Sequence, residues 1–581
     1  MSSGLFTVNG RPKVAGREHS AEVSPRRYVV QIGGTRMSVP RDDATTAEAA
    51  VGLAPGRLLT RESFIRCAAG GVVAGVGLAT LLSGCGSTSQ VAGGSGTGTA
   101  PSAPAGTVKV AIPGFPVTLD PTLDGALSTI AVLFNVYETL IGFDQDYTRL
   151  VGVLAESWES DDDARVWRFT LRRGVRFHDG APLDASAVRA SIEYTLRRAA
   201  PFGPILIGAP RIDDSDPGVV VFSYEKPFPD LARNMTYASP IISPKLLAGS
   251  TRAAEAAVAA RPVGTGPFAF RSVQPGRGIS LRAFDGYWGE TPLIADLEFA
   301  NVRDESARVS ALQAGDVDVV MQLPPRAAQS LRANSRVTVH DRPSWSTVLL
   351  MPACNQRPFD DVRVRQAMAY AIDRRTIVDK VLLGQATLDD SQLPQGVYGY
   401  VRPRTTYGFD PEKARALLKA AGYDSAVPIR FSTRADAVGA SEITQAIAAQ
   451  LEDVGFAVQS EVLDQAAYEA DLALPVSRYQ LHWNEAGWVN GGPFHMTFND
   501  TAMRSFYRDR DYDALVAEVS STPDGPRREQ LIARANERWA EQAAWLTLWV
   551  AKRIDATSAD IGGYRTPPNV LTLFGRTYVA Q

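Results

Sequence analysis

The sequence of 581 residues contains very little cysteine and histidine, with three of the first and five of the second. The cysteines are Cys67, Cys85 and Cys354, and no CxxC pair occurs. This scarcity excludes a disulfide framework and the common cysteine-rich zinc sites. Cys354 stands alone in the body of the chain and is predicted to be a small buried hydrophobic residue.

A surplus of basic charge is also absent. The formal net charge is −3, and residues 1–84 hold ten Lys/Arg against six Asp/Glu, so the rest of the chain is mildly acidic. Proteins that bind nucleic acid usually carry a basic patch, so no nucleic-acid partner is predicted. With 45% hydrophobic and 21% charged residues, the composition is that of a globular chain long enough for several domains.

The motifs of several common enzyme classes are missing. HExxH, GxSxG and GxxxxGK followed by Ser or Thr do not occur. Residues 264–267 (Gly-Thr-Gly-Pro) resemble a phosphate loop only superficially, because no lysine follows, and they are predicted to form a tight turn. We therefore expect no catalytic residues, no enzyme activity and no cofactor. A secreted hydrolase is the alternative from the enzyme class.

The N-terminal part of the chain has the features of an export signal. Residues 57–66 hold three arginines against one glutamate, and residues 68–82 are uncharged and mostly small or apolar. A basic patch followed by a short apolar run is typical of a secretory signal, and this run is shorter than the roughly 20 residues that span a bilayer. Residues 82–85 (Leu-Ser-Gly-Cys) resemble the bacterial lipobox, which implies cleavage before Cys85 and a diacylglycerol on its thiol.

The export route is left open by the sequence. Residues 60–66 resemble a twin-arginine signal in which Glu62 replaces the second arginine, so the general secretory route is equally open. The stretch that follows Cys85, up to residue 106, is rich in Gly, Ser, Ala and Pro. Such a composition cannot bury a core and predicts a flexible tether between the lipid and the folded body.

Residues 1–56 precede this signal, although signals normally begin a chain. We expect that translation starts near Met37 or Val51, and the alternative is a cytoplasmic pre-segment. Residues 27–39 could form a small hairpin.

The body of the chain alternates between strand and helix patterns. Residues 107–112 and 166–172 alternate apolar and polar side chains, as half-buried strands do. Asp410 is a good N-cap for a helix that begins at Pro411 and ends near Gly422. Ser441 is predicted to cap the next helix, which stops at Gly455 before another strand, and Asp373 to cap a helix earlier in the chain. This rhythm predicts an α/β fold with mixed sheets.

Five blocks in this body resemble extracellular solute-binding protein family 5, the dipeptide/oligopeptide/nickel type of ABC-transporter receptor. They occur in the order of the family and spread over roughly residues 105–581. The blocks are residues 154–158 with 167–180, 261–268, 308–319, 357–377 and 410–423.

The resemblance implies a bilobed periplasmic-binding-protein-like fold, of type II and of the large class with an extra subdomain, with mixed sheets flanked by helices. Ligand would bind in the cleft between the lobes. The implied domains are an N-terminal extension (1–56), a signal peptide (57–84), a lipidated flexible tether (85–106), lobe I (105–141, 262–343 and 543–581), its extra subdomain (142–261) and lobe II (344–542).

The resemblance further implies an extracytoplasmic receptor that captures a peptide or peptide-like solute by lobe closure and delivers it to ABC permease subunits in the membrane. We expect a monomer held by its lipid on the outer face of the cell membrane, on the periplasmic or cell-wall side. A nickel chelate, an opine or an amino sugar are alternative ligands, and a ligand sensor without transport is an alternative role.

The candidate ligand contacts come mainly from the aromatic and amide-rich stretch 482–495. In peptide receptors of the family, an aspartate after the Gly-Trp pair usually binds the ligand's amino terminus, but residues 487–493 contain none. Either Glu485 or another carboxylate replaces it, or the ligand has no buried free amine. The candidates are Trp488, Asn490, Asn355, Trp483, Glu485, Tyr137 and Glu138.

Several of these candidates have a structural alternative. For Trp483 core packing is favoured, and for Tyr137 and Glu138 a structural hydrogen bond is the alternative. No metal site is predicted, because His482 and His495 lie 13 residues apart without carboxylate or thiolate support nearby and are therefore weak candidates.

Overall fold

The computed structural model describes residues 30–32, 35–37, 99–123, 126–198, 207–435, 439–487 and 506–580. The chain forms two compact units, Met1–Gln90 and Val91–Gln581. In the first unit, strands β1 (Val30–Ile32) and β2 (Thr35–Met37) pair antiparallel, which confirms the hairpin predicted at residues 27–39.

The strands of the second unit range from two to sixteen residues. They are β3 (Thr107–Ile112), β4 (Ile141–Phe143), β5 (Leu150–Gly152), β6 (Ala155–Ser160), β7 (Val166–Leu171), β8 (Arg211–Asp216), β9 (Val219–Ser223), β10 (Phe268–Gln274), β11 (Gly278–Ala283), β12 (Asp296–Asn301), β13 (Val319–Val320), β14 (Val337–Pro352), β15 (Ala386–Thr387), β16 (Val427–Arg434), β17 (Phe456–Leu463), β18 (Leu481–Gly487), β19 (Leu546–Ser558), β20 (Ile561–Gly562) and β21 (Tyr578–Val579).

The described helices lie between these strands, and a π-helical turn covers Ile377–Val381. They are α1 (Leu127–Leu133), α2 (Ala185–Arg198), α3 (Leu231–Asn234), α4 (Pro244–Leu247), α5 (Thr251–Ala260), α6 (Glu305–Ala314), α7 (Pro325–Leu331), α8 (Val362–Ala371), α9 (Arg374–Thr376), α10 (Pro411–Ala420), α11 (Ala440–Val454), α12 (Gln465–Leu472), α13 (Arg510–Ser521) and α14 (Pro526–Glu541). None of the helices in the described part of the chain is long and apolar enough to cross a membrane.

The largest sheet has eleven strands and two halves. Its order is β10-β11-β12-β3-β13-β19-β14-β18-β16-β17, and β15 pairs with β19 outside this path. Strands β10 to β13 form the first half together with β3, and strands β16 to β18 form the second half. The pairing includes both parallel and antiparallel neighbours, as β3 with β12 and β10 with β11 show. The predicted α/β fold with mixed sheets is therefore confirmed.

The two halves are joined by β14 and β19, which pair antiparallel from Val337 opposite Ser558 to Leu350 opposite Leu546. The register of this pair shifts between Pro343 and Thr347. This irregularity coincides with the boundary predicted between lobe I and lobe II at residues 343 and 344. The domain boundaries themselves stay predictions.

A separate antiparallel sheet, in the order β6-β7-β9-β8, lies within the segment predicted as the extra subdomain. Strand β7 buries Trp167, Phe169 and Leu171 on one face, as the alternation of its sequence predicts. The buried hydrophobic residues form several clusters rather than one. The largest lie within residues 348–549, 140–263 and 108–574.

The helix signals of the sequence are largely confirmed. The side chain of Asp410 accepts a hydrogen bond from the backbone N–H of Lys413, at 2.9 Å, and α10 begins at Pro411. The side chain of Asp373 caps α9 in the same way. The cap predicted at Ser441 is wrong, because α11 begins at Ala440 after Gly439, whose φ of +68° turns the chain into the helix.

Candidate functional site

A cavity of about 150 Å³ lies where the two halves of the large sheet meet. Its walls combine side chains from the first half, the second half and the two joining strands. They include Gln322, Asn569, Gln385, Trp483, Glu485 and Lys552. A second cavity, of about 610 Å³, shares Pro325 and Leu382 with the first. We call the two cavities together the cleft.

The second cavity is flanked by charged side chains from both halves. Glu305 and Arg326 belong to α6 and α7, whereas Lys380 and Glu442 belong to the π-helical turn and α11. The cleft is therefore bounded by elements that are distant in sequence, as a site between two lobes requires.

Trp483 lies on β18 directly opposite Leu350 of β14. Its side chain is only 3% exposed and belongs to the hydrophobic cluster of the second half, yet it also lines the smaller cavity. Trp483 therefore packs in the core, as the sequence favours, and also contacts the cleft. Among the described residues, the indole Nε1 has no hydrogen-bond partner.

Glu485 follows Trp483 by two residues on the same strand, so both side chains lie on one face of the sheet. Glu485 is exposed and lines the same cavity. The structure therefore brings together two of the predicted ligand contacts, one aromatic and one acidic.

Tyr137 and Glu138 lie outside both cavities. Glu138 is buried and accepts hydrogen bonds from Thr265 Oγ1 at 2.8 Å, Tyr287 OH at 2.8 Å and Trp288 Nε1 at 2.9 Å. Burial raises the pKa of Glu138 to about 7, although these three donors act in the opposite direction. Tyr137 is fully buried. Both side chains are therefore buried, and their role as ligand contacts stays a prediction.

Asn355 lies outside the cavities as well. Its side-chain amide donates a hydrogen bond to the backbone carbonyl of Pro475, at 2.9 Å. This bond ties together two loops of the second half, and ligand binding by Asn355 stays a prediction.

His482 is fully buried and its Nδ1 lies 2.8 Å from Ser432 Oγ. Its ring stacks on Phe506 with centroids 5.6 Å apart. Burial lowers the pKa of His482 to about 4. No group of three or more potential metal-ligating side chains exists within the described ranges. The described part of the chain therefore gives His482 no partners for a metal ion.

The remaining candidates, Trp488, Asn490 and His495, lie outside the described residues, as does Cys85. Lys552 and Gln385 are among the cleft residues that the sequence reasoning missed. Lys552 could have been noticed, because it interrupts the apolar run of β19. Gln385 sits in a turn without any pattern, so no local signal identifies it.

An ionic cluster connects α3 with the start of α14. Arg528, whose side chain is 0% exposed, contacts Asp230 Oδ2 at 2.5 Å and Asp524 Oδ1 at 2.6 Å. Arg233 contacts Asp524 Oδ2 at 2.6 Å, and its guanidinium lies 3.9 Å from the ring centroid of Tyr398. We call these four charged residues the ionic bridge.

The charges of the ionic bridge stabilise one another. Burial alone would raise the pKa of Asp524, but the hydrogen bonds and charges of Arg233 and Arg528 lower it. Burial alone would lower the pKa of Arg528, but Asp230 and Asp524 hold it above its usual value. Asp524 and Arg528 are therefore both held in their charged forms. The contact joins the predicted extra subdomain to the predicted lobe II.

Comparison with known proteins places the chain among transport receptors. Residues 149–509 match the family model described as bacterial extracellular solute-binding proteins, family 5 Middle. The glutathione-binding protein GsiB of Salmonella choleraesuis is 26% identical over 472 residues, which cover 78% of this chain and 90% of that protein.

Solved structures agree with the fold. The ABC transporter substrate-binding protein CtaP from Listeria monocytogenes matches with a TM-score of 0.76 at 21% identity, over 82% of this chain and 100% of that chain. The periplasmic binding protein DppA from Helicobacter pylori, in complex with the peptide STSA, matches with a TM-score of 0.72 at 21% identity, over 82% and 98%. The predicted bilobed fold is therefore confirmed.

Proposed function

Because this chain belongs to the bacterial extracellular solute-binding proteins of family 5, we propose that it is the receptor of an ABC importer and captures a peptide or peptide-like solute in the cleft. The observation that carries this proposal is the cavity at the junction of the two sheet halves, which is lined by Trp483 and Glu485. Closure of two lobes around a solute would bury it there.

Glu485 supports a ligand with a free amine. The stretch 487–493 has no aspartate, and a buried ammonium group without a counter-charge is costly. Glu485 is an exposed carboxylate on the cavity wall, so it can supply that counter-charge. The names of two relatives agree with this ligand class, since one is called glutathione-binding and the other holds a peptide.

A non-peptide solute is the second candidate, favoured by the missing aspartate itself. An opine, an amino sugar or a nickel chelate belongs to this group. A sensor that signals without transport would use the same cleft.

We propose further that the protein binds its solute without converting it and works as a monomer outside the cytoplasm. In this proposal the lipid on Cys85 holds it at the membrane, and the stretch up to residue 106 lets the body stand away from the surface. A Cys85→Ser change should move the expressed protein from the detergent phase to the aqueous phase in detergent partitioning. Cys67→Ser is the matched control and should leave the protein in the detergent phase. Equal partitioning of all three would contradict the anchor.

The ligand class is tested by calorimetric titration with Ala-Ala, glutathione and N-acetyl-Ala-Ala. We expect binding of the free-amine peptides, and loss of about tenfold or more of that affinity in Glu485→Gln, because an ammonium–carboxylate pair is broken. Binding of N-acetyl-Ala-Ala should not change in this variant. Glu452→Gln, on the exposed side of α11, is the matched control and should bind like the unmodified protein.

Two outcomes would contradict the proposal. One is chromatographic detection of hydrolysed peptide after incubation, which would make the protein an enzyme. The other is an affinity for Ala-Ala that Glu485→Gln leaves unchanged, which would remove Glu485 from amine recognition.

A further inference from the structure

Gln322, on the cleft wall, has an unusual backbone conformation. Its φ is +56°, in the left-handed region that residues other than glycine rarely adopt. Five non-glycine residues in the described part of the chain have a positive φ, and of these five only Gln322 lines a cavity of the cleft. Such a conformation costs free energy and persists only where the surrounding structure enforces it.

A buried carboxylate holds the backbone of Gln322 in this conformation. The backbone N–H of Gln322 donates to Oδ1 of Asp555 at 3.0 Å. The other oxygen, Oδ2, accepts hydrogen bonds from Tyr564 OH at 2.8 Å and from Arg553 Nε at 3.2 Å. Asp555 is fully buried on β19. Because three donors converge on this one carboxylate, its position determines where the N–H of Gln322 lies.

Arg553 extends the network to another segment of the cleft wall. Its Nη1 donates to the backbone oxygen of Asn569 at 2.9 Å, and its Nη2 donates to Thr572 Oγ1 at 2.7 Å. Arg553 and Asn569 line the same cavity as Gln322. One buried ion pair therefore holds two wall segments that are distant in sequence.

A gain in stability does not explain this arrangement. Burial of an ion pair carries a desolvation cost that its attraction often fails to recover, so a buried pair is weak evidence of stabilisation. The left-handed backbone of Gln322 adds a second cost. Strained residues of this kind cluster at binding sites, and here the strain and the buried pair meet at a cavity wall. The position of this wall therefore matters for binding.

We propose that Gln322 contacts the bound solute, and that Asp555 and Arg553 are positioning residues that fix this contact before the solute arrives. The side-chain amide of Gln322 can donate and accept hydrogen bonds, so it suits polar groups of either kind. A contact that is fixed in advance loses less conformational entropy on binding. This inference rests on the proposed function but is independent of the solute class.

The first test separates affinity from stability in Gln322→Gly. Glycine adopts a positive φ without strain, so the melting temperature of this variant should not fall. Its affinity should fall about 3- to 10-fold, because one hydrogen bond to the solute is lost. Calorimetric titration with Ala-Ala, glutathione and a nickel(II)–histidine chelate measures affinity. Ala164→Gly is the matched control, because Ala164 also has a positive φ, of +54°, but lines neither cavity, so affinity should stay unchanged.

The second test is a double-mutant cycle for Asp555. Asp555→Asn keeps the shape of the side chain but removes its charge, so the wall is held less firmly and affinity should fall. Combined with Gln322→Gly, the same change should lower affinity less, because part of its effect passes through a side chain that is no longer present. Gln322→Gly leaves the ion pair intact, so the first test remains decisive if Asp555→Asn does not fold.

The outcomes distinguish this inference from the proposed function. A probe that binds the unmodified protein and Gln322→Gly equally would overturn the inference and leave the receptor function intact. A lower melting temperature of Gln322→Gly would also overturn it, because the residue would then serve folding. Equal losses of affinity from Asp555→Asn in both backgrounds would remove the positioning role. If no probe binds the unmodified protein, the proposed ligands fail, and this inference fails with them.

Discussion

All three histidines in the described part of the chain have a pKa below the ordinary value, because burial penalises the imidazolium form. For His178 and His482 the pKa falls to about 4. An unfolded histidine has a pKa near 6.5, so the unfolded chain binds protons between about pH 6.5 and 4 that the folded chain refuses. Stability contributed by these residues is therefore present above pH 6.5 and is lost on acidification through this window.

His482 allows this loss to be measured. The free energy of unfolding of the unmodified protein should fall when the pH is lowered from 7.5 to 5.0. In His482→Gln this fall should be smaller by about 2 kcal/mol, because the variant has no imidazole at this position to protonate in the unfolded state. Urea unfolding followed by fluorescence at the two pH values provides the comparison. Ser432→Ala removes the hydrogen bond but keeps the imidazole, so it should retain the original pH dependence. An equal loss in all three proteins would contradict the assignment.

Glu138 acts in the opposite direction. Its folded pKa of about 7 lies above that of an unfolded glutamate, so the folded chain holds a proton between about pH 7 and 4.5 that the unfolded chain releases. Acidification through this window stabilises the folded chain. In this pH range the contribution of Glu138 therefore opposes the contributions of His178 and His482.

A residue of the cleft can be predicted from sequence when its neighbours in the site are also its neighbours along the chain. Trp483 and Glu485 alternate along one strand, and the sequence identifies both as candidates. Gln385 and Lys552 reach the same cavity from separate elements, and only the folded chain brings them together. Tyr137 and Glu138 follow an apolar run near the expected cleft, but their side chains are buried in the interior.

At the scale of elements, the segment after α5 shows why two glycines stand where they do. A Cβ on Gly264 would lie 2.2 Å from the backbone oxygen of Val136, and one on Gly266 would lie 2.7 Å from that of Asn135. The segment packs directly against the chain that follows α1, and the N–H of Gly266 donates to Val136 O at 2.9 Å. The glycines permit a close approach of two backbones, and residues 265–267 form a bend there.

We expect Gly264→Ala to destabilise the protein by about 1–3 kcal/mol, because an added methyl group forces two backbones apart. Gly408→Ala is the matched control, since a Cβ there meets no atom within 4 Å, and its unfolding free energy should stay close to that of the unmodified protein. Chemical unfolding of the two variants in parallel gives the answer. A tolerated Gly264→Ala would mean that the segment can shift at little cost.

Helix boundaries were predictable where a cap is encoded by a side chain. Asp410 and Asp373 each accept a hydrogen bond from the backbone N–H three residues on, and both were identified from sequence. The start of α11 was not, because Gly439 uses a positive φ instead of a side chain. A glycine with a positive φ is not marked by any neighbouring residue type in the sequence. The sequence therefore predicts the nearby Ser441 as the cap, which is wrong.

At the scale of the whole molecule, the ionic bridge joins parts of the chain that lie almost 300 residues apart. The neutral double change Asp230→Asn with Arg233→Gln removes its charges on one side. We expect the bound solute to dissociate about tenfold faster, because partly buried charge pairs that hold the two parts together are lost. Stopped-flow fluorescence with excess unlabelled competitor measures this rate.

A suitable control for this change is Arg189→Gln, whose partners Glu193 and Asp214 lie in the same part of the chain. Dissociation from this variant should match that from the unmodified protein. If the double change leaves the dissociation rate unaltered but lowers the melting temperature, the bridge serves folding and not retention of solute.

The order of the eleven strands could not be obtained from local patterns. Strand alternation predicts β3 and β7, but nothing in the sequence of β19 indicates that it pairs with β13, β14 and β15. The bilobed arrangement was predicted only from the resemblance of five sequence blocks to a known family. Pairing between distant strands depends on the whole chain. Patterns within short stretches of sequence therefore do not predict it.

The long strands β14 and β19 give the molecule a mechanical property. They join the two sheet halves, and residues of both strands line the smaller cavity. A pair of hydrogen-bonded strands bends and twists more easily than it stretches. The pair therefore favours rotation of the two halves about one axis. A small displacement next to Trp549 is magnified with distance along each half, as at the end of a lever. If the proposed solute binds in this cavity, the ends of the two halves farthest from the cavity are therefore expected to move most.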